Sequence, residues 1–424
     1  MSTSSGTPTG SSLGPAPAND IFTDVERWGD IDAWNEAALR LHDIGGIHRI
    51  ERPGYDPFWA VIDHASIMGI ERRPTIFSNG PEPILATQDT IANRKESVKA
   101  LIRMDPPEHG KYRQLTSGWF NPSSLGRLDE RLTELSRQAV QRLDDLGGSC
   151  DFVPEIAVPY PLQVILKILG LPESDYPRML KLTQELFGGD DPDIQRAPQS
   201  PEAHAAVVRD FMEYFAGISA DRRACPADDL ASLIANGQID GCPIGEREMM
   251  GYYIIVATAG HDTTSSGMAG GLQLLIDNQD QLRKLQQQPD LVNNAVEEML
   301  RLTSPVRHFM RTVQEDTEIC GQRIAKGEWL YLSYKAANLD PKVFSNPLEF
   351  DITRANADKQ ICFGFGAHFC LGAQLARNEM RSLFSYLVPR IESIDYDGDP
   401  SMIRALLVGG HKTLPIRYSL TRSQ

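Results

Sequence analysis

Paired cysteines are missing from this chain. Six cysteines (Cys150, Cys225, Cys242, Cys320, Cys362 and Cys370) are scattered over 424 residues with no CxxC among them. That spacing excludes a dense disulfide framework and a cluster-type cysteine run, and indicates free thiols in a reducing cytosol. A surplus of positive charge is missing too. With 42 Lys and Arg against 57 Asp and Glu the net charge is −15, which disfavours nucleic acid and anionic membrane surfaces as partners. No window approaches the roughly 18 apolar residues needed to span a bilayer. No glycine fingerprint for a flavin or nicotinamide dinucleotide is present, so the chain carries no electron source of its own. Neither an internal repeat nor a Pro/Gly/Ser linker divides the chain after residue 20. Residues 1–20 are Ser/Thr/Gly/Pro-rich, with no basic or apolar stretch, and read as a disordered tail that is neither signal peptide nor anchor. Residues 21–424 then form a single domain.

What is present is mostly helical periodicity. Pro122 to Leu146 follows Asn121 as cap, repeats Leu125, Leu128, Leu132, Leu135, Ala139 and Leu143, and ends at Gly147-Gly148. Residues 154–170 and 202–222 also read as helices, separated by the loop Gly188–Asp193. Residues 246–277 read as one long helix, nearly all apolar from Tyr252 to Gly260 and therefore running through the core. Phe58–Ile62 and Trp329–Leu332 read as strands, the second entered from a turn at Lys326-Gly327-Glu328. The expected fold is mainly α with a small β region.

Four segments carry chemistry. In Phe363-Gly364-Phe365-Gly366-Ala367-His368-Phe369-Cys370-Leu371-Gly372, the glycines allow a tight loop whose N–H groups turn toward one sulfur. A helix from Leu371 to about Leu387 would place Cys370 at its N-terminus, which favours a thiolate and lowers the thiol pKa. A buried structural cysteine is the bland alternative. In Ala259-Gly260-His261-Asp262-Thr263-Thr264, glycine, acid and hydroxyl groups sit inside an apolar helix, against propensity. Gly260 would leave open space beside the helix, and a buried Asp262 is costly unless it serves a network. Glu298 and Arg301 stand three apart, and so share a helix face. His109 and Arg113 share a face one turn apart, after Pro106-Pro107. Each of the last two, taken alone, fits an ordinary solvated helix face.

Together these segments resemble the cytochrome P-450 monooxygenases, and the order of the four motifs extends the resemblance over most of the chain. It implies the P-450 fold, haem b, and Cys370 as the iron ligand, within a loop in which Phe363, Gly366, His368 and Gly372 help to hold the cofactor. It implies His109, Arg113, Arg311 and His368 as cations for the haem carboxylates. Asp262 and Thr263 become the acid–alcohol pair that relays protons during oxygen activation, with His261 a structural neighbour. Glu298, Arg301 and Arg354 become a structural triad beneath the haem. Pocket walls are expected from Ile255, Thr258, Ala259, Val306, Phe309, Leu407 and Val408, completed by residues 80–100 and 175–215 as a mobile lid.

The acid–alcohol pair implies hydroxylation with O2, rather than a peroxygenase or a haem-thiolate isomerase. The two electrons would come from a [2Fe–2S]-type ferredoxin and an NAD(P)H-dependent reductase, docking on a basic patch that includes Lys111 and Arg377. The resemblance further implies a bacterial, cytoplasmic monomer. Within the family the likeness is to the terpineol-oxidising type, through Gly54–Pro57, Leu180–Gln184, Ala257–Ser266 and Phe309–Thr312. It departs in 80–100 and at Arg307-His308. The expected substrate is a monoterpenoid or a para-alkyl aromatic. A sterol or fatty acid is the alternative, and a haem-based gas sensor or electron carrier is the reading from a different class.

Overall fold

The computed structural model describes residues 18–93, 98–187 and 201–421. Most of the expected tail and the loop Gly188–Asp193 therefore lie outside the described residues. Order is already tight at the start of the described chain, where Phe22 is completely buried and Trp34 Nε1 donates to Ile21 O at 3.0 Å. Burying such large rings is the main favourable term in folding.

Helices dominate, with one five-stranded sheet at the side. Five of its elements frame the site: β1 (Ile47–Ile50), β2 (Phe58–Val61), β3 (Phe77–Ser78), β4 (His308–Val313) and β5 (Trp329–Ser333). Their order is β1-β2-β5-β4-β3. Strand β5 runs parallel to β2 and antiparallel to β4, with Leu330 opposite Arg311. Side chains alternate along β4, so Phe309 and Arg311 share one face of it.

Five helices matter most: α1 (His64–Glu71), α2 (Glu108–Ser117), α3 (Glu246–Ala259), α4 (Asp262–Asp277) and α5 (Val292–Thr303). A sixth, α6 (Ala373–Leu387), follows the cysteine loop. The helix expected over 122–146 is interrupted by a 3₁₀ turn at Gly126–Leu128, and closes at a left-handed Gly147 as expected. Between Val153 and Ala157 the backbone is a π-helix, and the α-helix behind it spans Pro159–Leu169.

The single helix expected over 246–277 is two helices, broken at Gly260-His261. Hydroxyl groups explain the break. Thr258 Oγ1 donates to Ile254 O at 2.6 Å, Thr263 Oγ1 to Ala259 O at 2.7 Å, and Ser266 Oγ to Asp262 O at 2.7 Å. A hydroxyl that bonds a carbonyl one turn back competes with the helical ladder and bends it. At the break His261 N reaches Thr258 O over 3.4 Å, a tightened turn. Gly260 serves packing here rather than ligand space: a Cβ on it would lie 2.7 Å from Ile165 Cδ1.

Candidate active site

The cysteine loop is built on α1. Gly364 and Gly366 have φ of 67° and 69°, a left-handed backbone that glycine adopts without strain. A Cβ on Gly366 would come within 2.2 Å of the Glu71 carbonyl oxygen, so no larger residue fits. Cys370 N donates to Phe363 O at 2.9 Å, folding the loop back on itself. The Arg377 guanidinium lies 4.5 Å over the Phe363 ring. Helix α6 starts at Ala373, two residues later than expected, with Gly372 as its cap.

Cys370 is exposed by surface area, although protein packs densely around its thiol. Its thiol pKa is raised, against the expectation from a helix N-terminus. Loss of water is the largest cause, and the Gly372 N–H, Arg113 and Arg377 only partly oppose it. Coordination to a metal ion would deprotonate the sulfur outright. Among the described residues, no group of three or more His, Cys, Asp or Glu could hold a metal.

The four residues expected as cations converge, but only Arg113 and Arg311 carry charge: the pKa of both histidines is lowered, which corrects the expectation of four cations. The rings of His109 and His368 are 4.0 Å apart, and Arg113 Nη2 donates to Phe369 O at 2.6 Å beside them. His368 titrates near 2, held down by burial, then by His109, Arg311 and Arg113. His109 is lowered by burial and by Arg113. Buried His368 Nε2 has no hydrogen-bond partner. Such a cluster is short of anionic acceptors. The two carboxylates of a haem match it, with the two arginines supplying charge and the two neutral imidazoles supplying N–H donors. The residues present therefore fit the group: Cys370 would ligate the iron, and His109, Arg113, Arg311 and His368 would hold the carboxylates. Arg311 differs from the other three. It is buried and already paired with Glu71 at 2.8 Å, a partner that sequence reading missed because 240 residues separate them.

The acid–alcohol pair lies just past the helix break, on the open face. Asp262 and Thr263 are partly exposed, which corrects the expectation of a buried Asp262. Asp262 Oδ1 is 3.0 Å from His261 Nδ1, while Asp262 Oδ2 has no partner. His261 is fully buried and its Nε2 donates to Val158 O at 3.1 Å, so it points away from the open face as expected. Thr263 gives its own proton to Ala259 O, so toward the cavity it presents an acceptor that can hold a water or another O–H donor.

The triad is assembled completely. Arg301 makes two 2.7 Å bonds to Glu298 and Arg354 adds one of 2.8 Å, with Glu298 and Arg301 fully buried. Arg301 also donates to the carbonyls of Asn338, Pro347 and Glu349, and Arg354 to those of Ser345, Asn346 and Glu349. The triad thus pins the chain leading to the cysteine loop.

Of the expected walls, Ile255 and Ala259 share the open face of α3 with the acid–alcohol pair. Thr258 does not: it is buried, and its hydroxyl caps Ile254 O. Val306 bridges Val408, and Arg307 N donates to Leu407 O at 2.9 Å, which joins the segment before β4 to the C-terminal loop. That loop rests on α4, where a Cβ on Gly410 would touch Ser266 Oγ at 2.2 Å. Phe309, Val306, Leu407 and Val408 are all half-buried. Arg307 and His308 face away from the cavity. Arg307 lies 3.6 Å over Trp28 and donates to Ala405 O, while Leu85 N–H donates to His308 Nε2 at 3.1 Å and His308 Nδ1 donates to Leu406 O at 3.2 Å. They shape the wall from behind. Residues 94–97 and 188–200 of the expected lid lie outside the described residues. The expected docking cations are both matched by acids, Lys111 by Asp240 and Arg377 by Glu297 at 2.6 Å. A surface cleft of about 630 Å³ between Arg142, Tyr160 and Tyr176 contains none of the site residues.

Comparison with known proteins shows the family. Residues 219–408 match the family model for cytochrome P450. The chain is 43% identical over 381 residues to Cytochrome P450-terp of a Pseudomonas species, covering 86% of this chain and 89% of that protein. It is 33% identical over 389 residues to Linalool 8-monooxygenase of Pseudomonas putida, covering 88% and 95%. Among solved structures, CYP108D1 from Novosphingobium aromaticivorans superposes with a TM-score of 0.88 at 38% identity, covering 96% of this chain and 99% of that one. The chain belongs to the cytochrome P450 family. It is a haem-binding monooxygenase with the P450 fold. No described helix is long and apolar enough to cross a membrane.

Proposed function

We propose that this monooxygenase hydroxylates a small hydrophobic molecule, a monoterpenoid or para-alkyl aromatic, using two electrons from a ferredoxin and its reductase. One observation carries the substrate class: six wall residues, Ile255, Ala259, Val306, Phe309, Leu407 and Val408, are apolar. A pocket of that kind selects by shape, with few polar contacts. The relative that oxidises linalool supports a terpenoid. A relative named Steroid C26-monooxygenase, from Rhodococcus jostii and 32% identical over 379 residues, keeps a sterol as the second reading.

The haem, when bound, supplies the chemistry that places one atom of O2 in a C–H bond and releases the other as water. Cys370 would ligate the iron of that group and so fix where the chemistry happens, as a thiolate that would donate electron density to it. Arg113 and Arg311 would neutralise its carboxylates, with His109 and His368 as neutral hydrogen-bond partners. Thr263 holds a proton-bearing group at the open face, and Asp262 stands one residue away to exchange protons with it. The apolar wall orients the substrate and excludes water. The balance is RH + O2 + 2 e⁻ + 2 H⁺ → ROH + H2O, so both electrons must arrive from outside the chain.

The first test is the CO-difference spectrum of the reduced protein and of Cys370→Ser. A strongly red-shifted Soret band that the variant loses establishes thiolate ligation by Cys370. Titration of the ferric protein with terpenoids, alkylbenzenes and sterols then reads the low- to high-spin change. A response to sterols alone overturns the terpenoid assignment.

A further inference from the structure

The last residue of α1, Glu71, has a setting that the haem reading does not use. It is buried, with only 4% of its surface exposed, and it meets three parts of the site at once. Its Oε1 accepts Arg311 Nη2 at 2.8 Å and the Tyr334 hydroxyl at 2.7 Å. The Phe365 N–H of the cysteine loop faces the same carboxylate. A Cβ on Gly364 would lie 3.4 Å from Oε1 and 3.7 Å from Oε2, so the loop rests directly on the carboxyl group. The Oε2 atom is buried and has no aligned partner. Arg311 in turn donates Nη1 to Met310 O at 2.8 Å, which locks its fork toward Glu71.

Burial pushes the Glu71 carboxyl up, while Arg311, the Tyr334 hydroxyl and the Phe365 N–H pull it back. Two buried groups of opposite charge interact far more strongly than they would in water, and each is costly to leave unpaired. Arg311 therefore offers the haem edge a partly cancelled charge, unlike Arg113, which donates to the neutral Phe369 carbonyl.

Resting on the haem assignment above, we propose that Glu71 is a positioning residue that ties Arg311 to the cysteine loop and sets the positive charge Arg311 presents to the haem carboxylate. One carboxylate then coordinates two functions that lie on separate elements. It holds the cation on β4, and it holds the Gly364–Phe365 backbone from which Cys370 is presented. The Oε2 atom, which has no aligned partner, is the one free to adjust as the cofactor binds.

Two variants of the haem-loaded protein test this. Glu71→Gln keeps the shape and removes the charge, which releases the full guanidinium charge toward the cofactor. In a spectroscopic redox titration the reduced-to-oxidised ratio at fixed potential should rise on the order of tenfold, about 59 mV for one electron. Glu71→Asp keeps the charge and shortens the reach by one methylene. Its ratio should stay within about twofold of wild type, while hydrogen exchange at the Phe365 amide accelerates at least tenfold.

An unchanged ratio in the Gln variant, or unchanged Phe365 exchange in the Asp variant, overturns the proposal. If Glu71→Gln does not fold, the exchange measurement on Glu71→Asp decides alone. A plain loss of packing would lower the stability of both variants without separating charge from reach. Failure of the haem reading is distinguishable, because the wild-type CO-difference band would then show no red shift dependent on Cys370.

Discussion

Two regions of this molecule use the same ingredients, a carboxylate beside a basic or hydroxyl partner on a helix, to opposite ends. In the Glu298–Arg301–Arg354 triad every contact is complete. Both Glu298 oxygens are bonded, and both guanidiniums also hold backbone carbonyls. In the Asp262–Thr263 region the helix is broken, Asp262 Oδ2 lacks a partner, and the Asp262 and Thr263 side chains are partly exposed. A saturated polar network fixes backbone, because any change strands a buried charge. An unsaturated one leaves atoms to bind and exchange protons with something that comes and goes. The cluster around His368 belongs with the second kind, since His368 Nε2 is buried and unpaired.

The contrast can be broken at its saturated end with the largest effect. Glu298→Gln should cost about 3–5 kcal/mol, because two buried guanidiniums lose their counter-ion. Denaturant titration should show that loss, together with failure to retain haem. A cost below about 1 kcal/mol would remove the triad's structural role. At the unsaturated end, Arg113→Gln should fold normally yet weaken haem retention roughly ten- to a hundredfold, the worth of one charge-assisted bond. Transfer of haem to a scavenger protein measures this, and an unchanged transfer rate would take Arg113 out of the carboxylate site.

A third test uses pH. His308 is buried and neutral, its pKa lowered to about 3 by loss of water, with Arg307 adding to the effect. In the unfolded chain the ring titrates near 6.5, so below that pH the unfolded state takes up the proton and the folded state does not. Stability is complete above about 6.5 and falls as pH drops toward 3, by about 1.4 kcal/mol per unit, or about 2 kcal/mol by pH 5. His411, lowered to about 4 by burial, adds in the same direction. Denaturation midpoints at pH 7, 6 and 5 check the slope, and a flat profile would contradict a neutral buried His308. The smallest stability effect belongs to Thr263→Ala, within about 1 kcal/mol, because its hydroxyl only back-bonds Ala259 O. Its effect on coupling should be large: substrate binding stays while most reducing equivalents go to peroxide. Product formed per NAD(P)H consumed reads this directly.

How far the site could be read from the sequence follows from how local each feature is. The cysteine loop, the Glu298–Arg301 spacing and the His109–Arg113 spacing are set within one turn or loop, and the structure has each of them. The central helix was legible as apolar and long, but not as broken. Its hydroxyls and Gly260 argue for a bend, yet only packing against Ile165 shows why glycine is required. Thr258 was misplaced because alternation between core and cavity faces is decided by what packs on the helix. The lowered thiol pKa expected for Cys370 was reversed by enclosure, which no helix terminus reports.

By itself, then, the sequence determined the ligand type, the order of the motifs and the helical character, since these rest on residue chemistry and short-range periodicity. Tertiary structure alone decided which charges are cancelled. Glu71 meets Arg311 across 240 residues, Lys111 meets Asp240, and Arg377 meets Glu297. Charge acts through space and burial rather than along the chain, so pairing, exposure and pKa become defined only when distant segments are brought into contact.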